Sequence, residues 1–214
     1  MTKILNLGVL LSGSGRTLQN FIDRIAEGKL PARISVVISS KPDAYGLERA
    51  RKHRIPAFVI NRKDFKTTKE FSGAITQKLK EHPVDLITMA GFIHLYKIPP
   101  EYEGKVMNIH PALLPAFGGK GFYTHKVHET VLESGAKFSG CTVHFADNVY
   151  DRGPIILQRV IPVLDDDTPD TLAERVFKEE CIAYPEAIRL CAEGRLKMKG
   201  NRVIILPPDP AAAG

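Results

Sequence analysis

The segment "KVMNIHPALLPAFGGKGFYTH", Lys105 to His125, sets an asparagine and a histidine two residues apart, then two prolines and a glycine pair. On an extended segment, residues two apart point to the same face, and Pro111 biases His110 toward an extended backbone. An amide donor beside a titratable imidazole is what stabilising an oxyanion and moving a proton require. An Asn108 and His110 that satisfy loop carbonyls inside the protein would carry the same spacing, so both readings stand.

Two other stretches hold residues of chemical interest. "SGSGRTLQ", Ser12 to Gln19, lacks the third glycine of a dinucleotide fingerprint and the Lys-Ser/Thr of a P-loop. It keeps a Gly-x-Gly turn with Arg16 and Thr17 at a helix start, which is either an anion site or a tight strand-to-helix connection. In "NVYDRGP", Asp151, with Asp147 nearby, is either a turn residue or the carboxylate that orients His110 and raises its basicity. His125 and His128 form an HxxH pair on an expected helix; with no third ligand in view they read as surface histidines rather than a metal site. The apolar "DLITMAGFIHLY" either walls a pocket for a flat ring or is core.

These residues need elements to hold them. Short β-branched runs alternate with stretches of helical spacing, the mark of a mostly parallel sheet covered on both faces. "ILNLGVLL", "RISVVISS", "AFVI", "VDLITMAG" and "KVMNIH" are the five strands expected up to His110. Between them "RTLQNFIDRIAEG", "DAYGLERARKH" and "TTKEFSGAITQKLKEH" are helices, the first with Leu18, Phe21, Ile22 and Ile25 in register and a stop at Gly28. Ligands of such sheets bind beyond the carboxyl ends of the strands, where Asn108 and His110 fall.

After a short helix, "THKVHETVLESG", the runs "CTVHFA" and "PIILQRVIPVL" read as a meander joined to the same sheet. Thr168 caps a long helix with Pro169 in its first turn, and Pro185 predicts a kink or break inside it. "RLKMKGNRVIIL" is a hairpin turning at Lys199 to Asn201. The expected organisation is one doubly wound α/β domain over 1–206 with a tail at 207–214.

Composition narrows the class. The 214 residues carry a net charge of +6 with cationic side chains dispersed and no tryptophan, which favours a small anionic substrate over a nucleic-acid groove. No stretch reaches the ~20 apolar residues of a membrane span. Three widely spaced cysteines fit a reducing, cytoplasmic setting better than a disulfide framework.

Together, "SGSGRTLQ", "DAYGLERAR", "DLITMAGFI", "MNIHPALLP", "GCTVHF", "DRGPIILQ", "YPEAI" and "GRLKM" closely resemble the glycinamide ribonucleotide formyltransferases over nearly the whole chain. The resemblance implies a Rossmann-like formyltransferase fold and transfer of a formyl group from the cosubstrate 10-formyltetrahydrofolate, without metal, in a monomer or homodimer that binds no nucleic acid and no membrane. It implies a catalytic trio of Asn108, His110 and Asp151, and ribonucleotide contacts from Gly15, Arg16, Thr17 and Glu180. The folate walls it implies are Ile93, His94, Leu95 and Tyr96 on one side and Ala146, Asp147, Asn148, Val149, Tyr150 and Asp151 on the other, with Asn108 between.

The chain departs from the family pattern in three places. "LLPAFGGKGFYTH" is longer and richer in glycine than usual, and Phe117 to Tyr123 is expected to cover the site. Arg152 stands where a small residue is usual. A family arginine near the start of the third helix has no counterpart in "FKTTKE", leaving Lys66 as its substitute.

Overall fold

Why the first strand is apolar at nearly every position is answered by what covers it. In a computed structural model that describes residues 3–122 and 125–208, β1 (Leu5–Leu11) has Leu7, Val9 and Leu11 in one core cluster and Leu10 in a second on the opposite face. Helices cover both faces, so the two-residue alternation survives as alternation between two cores instead of between core and water. Gly8 is the thin point on the second face, where an added Cβ would lie 2.7 Å from the Leu79 side chain.

The other elements follow in the expected order: α1 (Arg16–Ala26), β2 (Ala32–Ser39), α2 (Tyr45–Lys52), β3 (Ala57–Val59), α3 (Thr68–Lys80), β4 (Leu86–Met89), β5 (Val106–His110), α4 (His125–Glu133), β6 (Phe138–Phe145), β7 (Ile155–Pro162), α5 (Pro169–Ala192), β8 (Leu196–Lys199) and β9 (Arg202–Ile205). Seven strands form one sheet in the order β3-β2-β1-β4-β5-β6-β7, parallel through β5 and antiparallel at β5–β6 and β6–β7. The expected meander therefore joins the main sheet, and β8–β9 form a separate hairpin whose Leu196 and Val203 pack on the larger core. Of the expected tail, 209–214 lie outside the described residues, as does Tyr123 at the end of the expected cover.

The larger core lies between the sheet and α1, α2 and α5; the smaller is roofed by Phe71, Ile75 and Leu79 of α3. Thr67 caps α3, and Thr168 caps α5 through reciprocal bonds with Thr171. With β2 on one side of β1 and β4 on the other, the crevice at their carboxyl ends is where such sheets bind ligands.

Of the kink or break expected at Pro185, the break does not occur: α5 runs unbroken from Pro169 to Ala192. Proline costs a helix the bond to the carbonyl four residues back, here that of Cys181. The Asn20 side chain on α1 donates to that carbonyl at 3.1 Å, so the acceptor left over by proline is satisfied from a neighbouring helix. Asn20→Ala should therefore lower stability by about 1 kcal/mol in urea denaturation. In a Pro185→Ala background, where residue 185 regains its own N–H donor, the same change should cost measurably less.

Candidate active site

The carboxyl ends of β1, β4 and β5 open into a cavity of about 410 Å³ whose lining includes Thr17, Ile93, Asn108, His110, Tyr150, Asp151 and Glu180. Two backbone straps fix this rim. Buried Tyr184 of α5 donates its hydroxyl to the Met107 carbonyl at 2.8 Å, with the Met89 carbonyl at 3.3 Å, tying the ends of β4 and β5 together. Ser12 Oγ accepts the Ile93 N–H at 3.1 Å and pairs with Ser40 Oγ at 2.7 Å.

The expected trio is brought together. His110 is 3% exposed, and its Nδ1 lies 3.5 Å from Asp151 Oδ2 while its Nε2 donates to the Phe117 carbonyl at 2.8 Å. The Asn108 amide donates to His144 Nε2 at 3.1 Å and to Asp151 Oδ1 at 3.3 Å.

His144 is the member of this cluster that sequence reasoning missed. It sits opposite Asn108 in the antiparallel register, so its position in "CTVHFA" becomes informative only once that pairing is known. Its Nδ1 donates to the Phe145 carbonyl at 2.9 Å, leaving Nε2 as an acceptor. Burial lowers its pKa, which keeps the ring in this neutral form.

The departure of the chain from β5 is set by Thr142. Its hydroxyl donates to the Ala112 carbonyl at 2.7 Å and accepts the Leu114 N–H at 3.0 Å, while Gln158 Nε2 donates to it at 2.9 Å and to the Leu114 carbonyl at 2.9 Å. The glycine-rich loop then folds back on the trio. Besides the Phe117 carbonyl on His110, the Gly119 N–H donates to Asp151 Oδ2 at 2.9 Å. Gly118 lies against the site so closely that a Cβ would meet Leu114 Cδ2 at 2.4 Å and Asp151 Cβ at 3.2 Å. Phe117 and Asp151 are both left-handed, with φ of 54° and 51°, a conformation costing non-glycine residues about 1–2 kcal/mol.

A second, narrower slot of about 50 Å³ opens between the two expected folate walls, with His94, Leu95, Tyr96, Ala146, Asp147, Val149 and Tyr150 in its lining. Cross-bonds tie the walls to one another: the Leu95 N–H donates to Tyr150 Oη at 2.9 Å and the Ile98 N–H to Asn148 Oδ1 at 2.8 Å. Asn148 is thereby a strut and does not line the slot, and Tyr96 is 1% exposed with its hydroxyl paired to Thr76 at 2.8 Å. His94 packs edge-on against Phe71 and Phe92, and burial first, then Arg62 and Lys41, lowers its pKa. Lys66 lines neither this slot nor the larger cavity.

At the expected phosphate turn, Gly15 starts α1 in the left-handed region with φ 68°, and its Cα packs on Gly46, where an added Cβ would lie 2.5 Å from the Gly46 Cα. No side chain caps the α1 N-terminus, so its first-turn N–H groups are available to an anion. Thr17 faces the cavity, but Arg16 does not: its guanidinium forms a two-pronged pair with Glu174 and lies 3.9 Å over the Phe177 ring. Glu180 reaches the cavity from α5, and desolvation raises its pKa to about 7, with Arg16 opposing. Among the described residues, no group of three or more His, Cys, Asp or Glu is placed to hold a metal ion, and no helix is long and apolar enough to cross a membrane.

The sheet order and the polar cluster at its carboxyl edge define a class: residues 5–188 match the formyl transferase family. A phosphoribosylglycinamide formyltransferase of Haemophilus influenzae is 39% identical, with 91% of each chain covered. A glycinamide ribonucleotide transformylase from Symbiobacterium toebii superposes with a TM-score of 0.88 at 44% identity, covering 95% of each chain. The chain therefore belongs to the phosphoribosylglycinamide formyltransferase family. A human trifunctional purine biosynthetic protein is 41% identical over 91% of this chain, which spans only 19% of that relative's length, and 14% of a similar trifunctional protein of Chironomus tentans.

Near the trio sits an imidazole expected on the surface. His125 is exposed, but His128 is 4% exposed, and its Nδ1 has no partner among the described residues. Burial first, then the nearby His125 and His110, lowers its pKa from 6.5 to about 4. The unfolded chain takes up this proton more readily than the folded one, so stability is full above pH 6.5 and declines as pH falls toward about 4. Urea midpoints measured across that interval should fall less steeply for His128→Leu than for wild type.

Proposed function

We propose that this chain transfers the formyl group of 10-formyltetrahydrofolate to the amine of 5'-phosphoribosylglycinamide, giving N-formylglycinamide ribonucleotide and tetrahydrofolate in purine biosynthesis. The observation that carries the mechanism is His110, buried with one ring nitrogen toward Asp151 and the other on an exchangeable loop carbonyl. The slot between the 93–96 and 146–151 segments shares Asn108, Tyr150 and Asp151 with the larger cavity, which supports placing the flat folate ring between those walls. The uncapped α1 terminus, with Thr17 and Glu180 in the adjoining cavity, suits a phosphorylated ribose.

His110 is the principal donor to the oxyanion that forms as the amine lone pair attacks the formyl carbon. In the free arrangement its Nε2–H is engaged by the Phe117 carbonyl, which holds the place that the formyl oxygen takes. Asn108 joins it by exchanging its longer contact, 3.3 Å to Asp151, for the same oxygen. Asp151 orients the ring through Nδ1 and balances its charge. As the carbon–nitrogen bond to the folate breaks, the proton lost by the amine passes to the departing nitrogen, with Asp151 placed to relay it. Holding the two reactants side by side supplies much of the remaining acceleration.

Folate absorbance should change only when both substrates are present; consumption of the formyl folate alone would instead reveal a hydrolase. His110→Ala and Asn108→Ala should each lower kcat by roughly 100- to 1,000-fold while leaving the circular dichroism spectrum and ribonucleotide binding nearly unchanged. Near wild-type turnover in His110→Ala would remove His110 from the mechanism.

A further inference from the structure

The larger cavity has a charge problem. Its lining contains two acidic side chains, Asp151 and Glu180, the second held partly protonated by burial, and the proposed substrate brings a phosphate monoester beside them. Arg16, the cation expected at the phosphate turn, is held by Glu174 and Phe177 and does not line the cavity. The α1 N-terminus contributes only about half a positive charge against a dianion. Apart from the imidazole of His110, the one cationic side chain among the described lining residues is Lys120.

Lys120 is placed there by the docked loop. The neighbouring Gly119 N–H is tied to Asp151, which sets the Lys120 backbone at the cavity mouth. Among the described residues, nothing lies within 4 Å of where a Cβ would stand at the flanking Gly119 and Gly121. Among the described residues Lys120 is exposed, and it makes neither an ion pair nor a side-chain hydrogen bond. Lys120 and Thr17 line the larger cavity and not the folate slot.

We propose that Lys120 is a specificity-determining residue that binds the substrate phosphate in the cavity it shares with Thr17 of α1. This rests on the ribonucleotide assignment made above. The glycine-rich loop then contributes a charge to substrate recognition as well as a backbone that braces the trio. A lysine suits the position, since a compact charge on a flexible stem can follow a phosphate that arrives after the loop has docked.

Isothermal titration of wild type, Lys120→Met and Lys120→Arg with the ribonucleotide and with its dephosphorylated riboside tests this. Lys120→Met should weaken ribonucleotide binding roughly 10- to 100-fold, the usual effect of one charged hydrogen bond, and leave the riboside unaffected. Lys120→Arg should recover most of the loss, and KM for the formyl folate should stay at the wild-type value in both variants. Unchanged ribonucleotide binding in Lys120→Met, or equal losses for ribonucleotide and riboside, would overturn the assignment. A wild-type protein that does not distinguish the two ligands would do the same. Turnover in the same preparations reports separately on the reaction: binding that depends on Lys120 without formyl transfer would sink the catalytic reading and leave the phosphate contact standing.

Discussion

The change of strand direction at β5 is the constraint on which the site depends. β5 runs parallel to β4 but antiparallel to β6, so His110 at the end of β5 faces Thr142 within β6, while Phe145, where the connection to β7 begins, pairs with Met107. Here Asn108 pairs with His144 across the ladder, and the β6–β7 connection delivers Asp151 to both. Three residues separated by up to 43 positions in the chain thereby meet at one corner of the sheet.

Burying that many polar groups is tolerable only where each finds a partner. Around the trio the partners are backbone atoms as often as side chains: Phe117 for His110, Gly119 for Asp151, Phe145 for His144. Thr142, fully buried, links the segment after β5 to β7 through Gln158. The same backbone contacts leave the site poised rather than sealed. A carbonyl on His110 can be exchanged for a substrate oxygen at little net cost, because one hydrogen bond replaces another.

Much of the fold was legible in the residues. Apolar runs without alternation identified strands covered on both sides, and the expected helices of "RTLQNFIDRIAEG" and "TTKEFSGAITQKLKEH" form with their apolar residues in the core. That Pro185 does not break α5 was not legible, because the compensation comes from Asn20, 161 residues from the carbonyl it satisfies, and no local rule contains it. His128 misled for a related reason: HxxH spacing says which residues share a helix face, not whether that face meets water. Arg16 was legible as a phosphate-turn residue, yet whether its guanidinium points at the cavity depended on Glu174 and Phe177 of a helix that arrives late in the chain.

What the sequence determined by itself was the class of architecture, the family and the identity of the residues gathered at the strand ends, because these rest on local periodicity and on motifs that are contiguous in the chain. Tertiary structure alone decided that Asn108 faces His144, that Asp151 reaches His110, that the glycine-rich loop braces both, and that Lys120 stands at the cavity while Arg16 does not. Each of these is a contact between segments remote in sequence, fixed by strand register and by the partners that buried polar groups must find, and neither is written in the spacing of any single segment.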